Sequence, residues 1–263
     1  FSLMGSTYTL LYMVTRKLLH ASRLEYLFVS TLFVIVTVQF TYSYYDAFYW
    51  YNGAMYYTLF YSLSLVLASL LIGYSKATTR TGQAIISVAA AALAIVIAGG
   101  NFVSGLGMGA ILFTSIIVMR IEQKRWPRFH IAILAIFGVA FALSVFAPGN
   151  AYRQVTVENK PNVMAAFFMA IGKSFEFFSD TFNIVQVLML AILAPAIVRM
   201  AAKSRFKFSH PWICLFVTVL LYSSFFFAHC YAMGTRGPGR VQNIYSYVSL
   251  WLFCVNIYYL SGA

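Results

Sequence analysis

The sequence predicts an all-α fold, a polytopic transmembrane helical bundle, and three observations carry that prediction. The 263 residues are 62% hydrophobic and only 9% charged, whereas a soluble domain holds about 25% charged residues. Apolar runs of near-spanning length recur along the whole chain. Aromatic residues reach 18%, with 19 Tyr and 25 Phe, and many tyrosines sit at the ends of those runs, as in the belt that amphipathic rings form at a membrane interface. We expect about eight to nine spans plus one interfacial amphipathic helix, in a single transmembrane domain covering 1–263.

A helix needs about 20 apolar residues to cross a bilayer. The candidate spans are 1–15, 26–44, 54–74, 84–99, 102–119, 131–147, 181–198, 212–228 and 242–260. The first run is short and the chain opens on Phe1. It therefore reads as N-terminally incomplete, with a first span and first outer loop upstream. It carries no basic n-region or cleavage site of a signal peptide. The run "AIISVAAAALAIVIAG" is short and Ala-rich, so it is expected inside the bundle. Pro195 should kink its helix. Gly105 and Gly109 form a GxxxG suited to close helix packing. With Gly107 they make "GLGMG", which resembles a phosphate loop but follows no soluble strand, so a nucleotide site is rejected.

The segment 163–180 differs. Met164, Phe167, Phe168, Ile171, Phe175 and Phe178 recur at helical spacing, with Lys173, Glu176 and Asp180 on the opposite face. That pattern predicts a helix lying in the interface plane. A single helix over 163–198 would be about 54 Å long, against an apolar core of about 30 Å.

Net charge is +12. In a soluble protein this would suggest nucleic acid. Here the cations fall in short clusters between apolar runs, which are topology signals and contacts to anionic headgroups, so no nucleic-acid partner is expected and membrane lipids are. Loops 16–25, 75–83, 120–130 and 199–210 hold thirteen of the eighteen Lys and Arg residues. The alternate loops, 45–53, 100–101, 148–162 and 229–241, are poor in them. The positive-inside rule places the first set in the cytoplasm and the second outside. Three cysteines, Cys214, Cys230 and Cys254, make no disulfide framework. His20, His130 and His210 at the basic ends read as solvated or headgroup-facing.

The unusual motifs all fall on the outer set. Arg153 of "APGNAYR" and Arg240 of "GPGRVQN" are charged forks suited to phosphate oxygens. Gly149, Gly237 and Gly239 would let backbone N–H groups approach an anion, and Asn150 and Asn243 add neutral donors. The alternative is that both arginines snorkel to headgroups while Pro-Gly caps helices. In "YYDAFYWYNGAMYY", Asp46 is the single acid among tyrosines, with Trp50, Tyr51 and Asn52 close by. Aromatic faces around a carboxylate and an amide suit a sugar ring, and an acid near rings suits a general base. The alternative is a plain aromatic belt, with Asp46 capping the next helix. His229 and Cys230 adjoin, but further ligands at sensible spacing are missing, so no metal site is assigned. Glu158, Glu176 and Asp180 read as solvated.

Taken together, "AFYWYNGAMYYTL", "GGN", "APGNAYR" and "GPGRVQNIY" resemble a bacterial family of multi-pass membrane proteins of the GT-C glycosyltransferase type, often called glucosyltransferase-like. The similarity covers roughly residues 44–260, in the expected order. It implies a GT-C-like enzyme of the bacterial cytoplasmic membrane. The enzyme would move a sugar from a polyprenyl-phosphate donor to a glycan or lipid acceptor of the cell envelope, on the extracytoplasmic face. The family's usual acid lies in a first outer loop, upstream of this chain, so the catalytic residue stays unassigned, with Asp46 a weak candidate; a divalent cation is left open as cofactor. The resemblance assigns Asn150, Arg153, Arg240 and Asn243 to donor phosphate or acceptor, and Trp50, Tyr51, Asn52 and Asn101 to the sugar. It departs at Phe102, where Asn or Tyr often follows "GGN". Competing readings are a transporter or flippase of lipid-linked sugars and a non-catalytic membrane subunit. Midplane polar residues, which transport would favour, are scarce, with Gln186 and Asn256 nearly alone.

Overall fold

A computed structural model describes residues 1–150, 161–204 and 210–263. Among these residues the regular elements are helices and none is a strand. In chain order they are α1 (Ser2–Leu11), α2 (Arg23–Gln39), α3 (Tyr51–Lys76), α4 (Arg80–Gly100), α5 (Phe102–Gln123), α6 (Arg128–Val145), α7 (Val163–Thr181), α8 (Ile184–Ala202), α9 (Pro211–Met233) and α10 (Gly239–Gly262). Seven of them, α3 to α6 and α8 to α10, are long and apolar enough to cross a membrane. That is the mark of a multi-pass membrane protein. α1 runs on into a π-helical segment, Tyr12–Leu18. α2 has 17 residues and so measures about 25 Å.

Side-chain caps set the helix boundaries more sharply than the apolar runs do. Ser22 opens α2 with a reciprocal capping box, the Glu25 N–H donating to Ser22 Oγ (3.2 Å) and the Ser22 N–H to Glu25 Oε2 (2.7 Å). Thr79 caps α4, so that helix begins at Arg80 and gains a turn over the predicted run. Asn101 accepts from the N–H groups of Val103 and Ser104, each at 3.0 Å, and starts α5 one residue after α4 ends. Asn183 and Gln186 form a second box at the start of α8, which fixes the break between α7 and α8. Gln186, expected near the midplane, is therefore a helix-start residue. Pro195 lies inside α8, which continues through it.

Three apolar clusters make the core. One joins α1, α3, α5, α7, α9 and α10 around Tyr61, Phe177, Phe226 and Tyr245. A second joins α1, α2, α8 and α10 around Phe33, Leu193 and Leu250. The third joins α3 to α6 around Leu67, Ala94, Leu112 and Phe137. α1, α3, α5 and α10 each contribute to two clusters and so link the bundle. Short polar contacts between helices supplement the packing, as lipid-embedded bundles favour. Ser174 Oγ lies 3.0 Å from Ser223 Oγ, Thr41 Oγ1 lies 3.2 Å from Tyr247 Oη, and the Asn256 amide donates to Thr218 Oγ1 at 3.0 Å.

Four expectations need correction. α4 is not interior: Ala90, Ala94, Ile97 and Ala98 are buried on one face, while Ile85 and Val88 on another stand 66% and 72% exposed. Small alanines let its inner face approach α3 and α6, and β-branched residues turn outward. α7 does carry Lys173, Glu176 and Asp180 as predicted, but it docks on α9 through a third stripe of Ala166, Ala170, Ser174 and Phe177. Its large residues Met164, Phe168 and Phe175 are exposed. His130 is buried, edge-on to Phe129, rather than solvated. The "GLGMG" glycines make room for rings instead of a second backbone: Gly105 faces Phe141 and Gly107 faces Phe225 so closely that a Cβ there would collide.

The end of the bundle that carries the basic loops is stapled by Glu25. Its carboxylate receives Lys203 Nζ at 2.9 Å and Arg199 Nε at 3.3 Å, tying the start of α2 to the end of α8. The Lys203 hydrogen bond, followed by the Ser22 N–H, holds the Glu25 carboxyl down at about 2 against an ordinary 4.5. A depressed carboxyl contributes stability that is complete above its unfolded value and is lost as pH falls through its folded value. The detergent-solubilised protein is therefore expected to lose melting temperature as pH drops from 4.5 to about 2, and Glu25→Gln is expected to flatten that part of the profile. An unchanged profile in Glu25→Gln would show that the staple contributes nothing.

Candidate functional site

At the opposite end of the bundle the first turn of α10 meets the tyrosine-rich motif, whereas Asn150 of "APGNAYR" bonds back to the end of α6. The connection from α9 turns at Gly234 (φ +64°) and Gly237 (φ +84°), left-handed conformations that favour glycine. Pro238 then starts α10. Asn243, 1% exposed, clamps the backbone of Ser43: its Oδ1 accepts the Ser43 N–H at 2.7 Å and its Nδ2 donates to the Ser43 carbonyl at 3.0 Å. That pair brings the tyrosine-rich segment after α2 against the start of α10.

Asp46 follows in a short π-helical turn, Tyr45–Tyr49. Its Oδ2 lies 2.6 Å from where a Cβ on Gly239 would stand, so the carboxylate sits at the N-terminal end of α10. The helix dipole favours an anion there. The chain then breaks at Trp50, in extended conformation, before α3. Arg240 places its guanidinium carbon 5.0 Å from the Trp50 ring centre and 5.7 Å from that of Tyr57. Contacts of this kind contribute about 0.5–2 kcal/mol each. Among the described residues no carboxylate lies within 4.0 Å of Arg240. Arg236 is the contrast. It bonds Asp180 at 2.5 Å and lies 3.6 Å from Glu176, itself paired with Lys173, and the Asp180 bond pushes its pKa up. Arg236 also lies over the Phe177 ring, at 5.8 Å, so what sets Arg240 apart is that its N–H edges lie outside any described ion pair.

Beneath Arg240 the polar groups crowd. The His229 ring packs on Gly237. The Gln242 amide donates to the Gly237 carbonyl at 2.7 Å. Among the described residues, His229 Nδ1, Gln242 Oε1 and Tyr245 Oη are buried without a hydrogen-bond partner. Such groups carry a desolvation penalty of about 1–3 kcal/mol each and in a native fold call for an explanation.

The structure thus brings Trp50, Asp46, Arg240 and Asn243 into one cluster, and Asn101 lies next to it through a bond from its Nδ2 to the Tyr56 carbonyl at 2.9 Å. Tyr51 and Asn52 are exposed at the start of α3. Arg153 and Glu158 lie outside the described residues. Three of the four assigned asparagines have their amides engaged with backbone: Asn243 on Ser43, Asn101 as a helix cap, and Asn150 donating to the Ser144 carbonyl at 2.6 Å beyond the end of α6. They shape the site more than they face it. Tyr57 and Gln242 were missed, and His229 was considered only as a metal ligand. Tyr57 closes the same aromatic stretch that holds Trp50, so its membership of the motif was legible. Among the described residues no three His, Cys, Asp or Glu side chains group as a metal site would require. Compared with family models, curated proteins and solved structures, the chain matches none.

Gly239→Ala would press a methyl group onto Asp46 and onto Ser43, whose Cβ is 3.1 Å away. Overpacking of that kind costs about 1–3 kcal/mol. A thermal melt of Gly239→Ala is expected to fall accordingly, and Gly239→Ala with Asp46→Ala to recover part of the loss, a non-additivity that marks direct contact. Full additivity would separate Asp46 from the helix end.

Proposed function

We propose that the protein is a glycosyltransferase of GT-C type in the bacterial cytoplasmic membrane, with its motif end on the extracytoplasmic face. It transfers a sugar from a polyprenyl-phosphate donor to a cell-envelope glycan or lipid. The observation that carries this reading is Arg240, a guanidinium laid against Trp50 and Tyr57 with no described carboxylate to neutralise it. A planar fork so held suits bidentate contact with phosphate oxygens. The exposed rings of Tyr49 and Tyr51 beside it offer stacking faces for a sugar.

In the reaction, an acceptor hydroxyl attacks the anomeric carbon and its proton passes to a base. The bond from that carbon to the phosphate oxygen breaks, and the lipid phosphate leaves with the electron pair. Arg240 stabilises the charge that grows on the leaving phosphate, an electrostatic role whose loss costs roughly 10²–10³ in rate at comparable sites. Among the described acids of the motif end, Asp46 is the one outside an ion pair, which keeps it the weak candidate for the base.

The test is transfer of radiolabel from a polyprenyl-phosphate sugar in membranes containing the protein. The intact protein is expected to transfer, Arg240→Ala to fall roughly 10²-fold, and Arg240→Lys to recover only part of that loss. No transfer by intact protein across a panel of sugars would overturn the reading, and uptake of labelled donor into vesicles without transfer would favour a flippase.

A further inference from the structure

At the basic end, remote from Arg240, a cavity of about 1250 Å³ opens between α5, α9 and α10 beside the π-helical segment after α1. That volume exceeds the roughly 300–1,000 Å³ of small-molecule sites. Along α5 it is lined from Thr114 to Glu122 and along α9 from Ile213 to Leu221. Each stretch rises about 12 Å, close to the depth of one leaflet of a core about 30 Å thick.

The chemistry of the lining changes with depth. The deep wall is apolar, with Val118, Val217, Leu221 and Val255. Its deep polar side chains are Thr114 and Thr218, and Thr218 exchanges hydrogen bonds with Asn256 at 3.0 and 3.2 Å, so that pair calls for no polar ligand. The mouth carries His20, Lys203 and His210, with Glu122 as its acid. Lys203 and Arg199 share the carboxylate of Glu25, and the basic loops around the mouth hold thirteen Lys and Arg residues against two acids, Glu25 and Glu122, which leaves an excess of positive charge there. A water-soluble metabolite would meet a largely apolar floor, and a wholly apolar ligand would leave the cationic mouth without a partner.

We infer that this cavity holds an anionic phospholipid of the leaflet at the basic end, its acyl chain along α5 and α9 and its headgroup at His20, Lys203 and His210. The inference stands apart from the transferase reading, because the two sites lie at opposite ends of the bundle and share no residue.

Cys214 lines the cavity and reports on it directly. Purified protein is reconstituted in nanodiscs of phosphatidylcholine with or without phosphatidylglycerol, and maleimide labelling of Cys214 is followed by peptide mapping. Phosphatidylglycerol at about ten times its Kd is expected to slow labelling about ten-fold, as mass action requires. Native mass spectrometry is expected to show one retained phosphatidylglycerol in preference to phosphatidylcholine. Leu221→Trp, which fills the apolar wall, is expected to lose the retained lipid. The paired change His20→Gln and His210→Gln, at the exposed mouth, is expected to weaken the preference while leaving the melting temperature unchanged. Equal labelling in both lipids would overturn the inference, as would Cys214 shielded by a second copy of the chain in a dimer.

Discussion

Asn243 closes both edges of its amide on the backbone of Ser43, and the motif end of the bundle hangs on that clamp. The two residues are 200 positions apart. An amide that is 1% exposed and loses its partner faces the full penalty of a buried unpaired polar group, about 1–3 kcal/mol. Because the clamp fixes the segment after α2 to the first turn of α10, Asp46 reaches the N-terminus of that helix and Trp50 reaches Arg240. Gly239 permits the first approach and the turn at Gly237 the second. Arg236, one residue before that turn, ties the same connection to α7 through Asp180.

The two ends of the bundle solve the problem of charge in a largely apolar protein differently. At the basic end, Glu25 sits between two cations and works as a staple. At the motif end both arginines lie over rings, but Arg236 is neutralised by two acids, whereas Arg240 has no carboxylate within 4.0 Å among the described residues. An aromatic face orients a guanidinium without cancelling its charge. That difference separates a structural arginine from one available to a ligand, and it follows from partners rather than from the residue type.

Much of the architecture was legible in the sequence because lipid imposes a length and an apolar composition on each span. The seven long apolar helices lie where apolar runs predicted them, with ends moved by caps such as Thr79 and Asn183. The break before α8 was expected between 180 and 181 and lies at 182–183, where Asn183 gives its cause. Other features depended on partners far away in the chain. Alanines in α4 suggested burial all round, yet only the face with Ala90, Ala94 and Ala98 is buried, and Ala84 and Ala92 are exposed. Asn101, Asn150 and Asn243 looked like ligand donors because they flank Gly and Pro. Their amides instead serve backbone groups that no single stretch reveals. The stacking of Arg240 on Trp50 joins segments 190 positions apart, and only their shared motif character hinted at it. His229 was weighed as a metal ligand and set aside, when its place is beneath Arg240 against Gly237.

The account rests most heavily on the separation of the motif loops from the basic loops across a membrane. Membrane-impermeant thiol labelling in whole cells tests it directly, using single cysteines at Asn52→Cys and Lys124→Cys in a background with Cys214, Cys230 and Cys254 replaced by Ser. The account predicts that Asn52→Cys labels in intact cells and Lys124→Cys only after permeabilisation. Labelling of both in intact cells, or the reverse pattern, would contradict it.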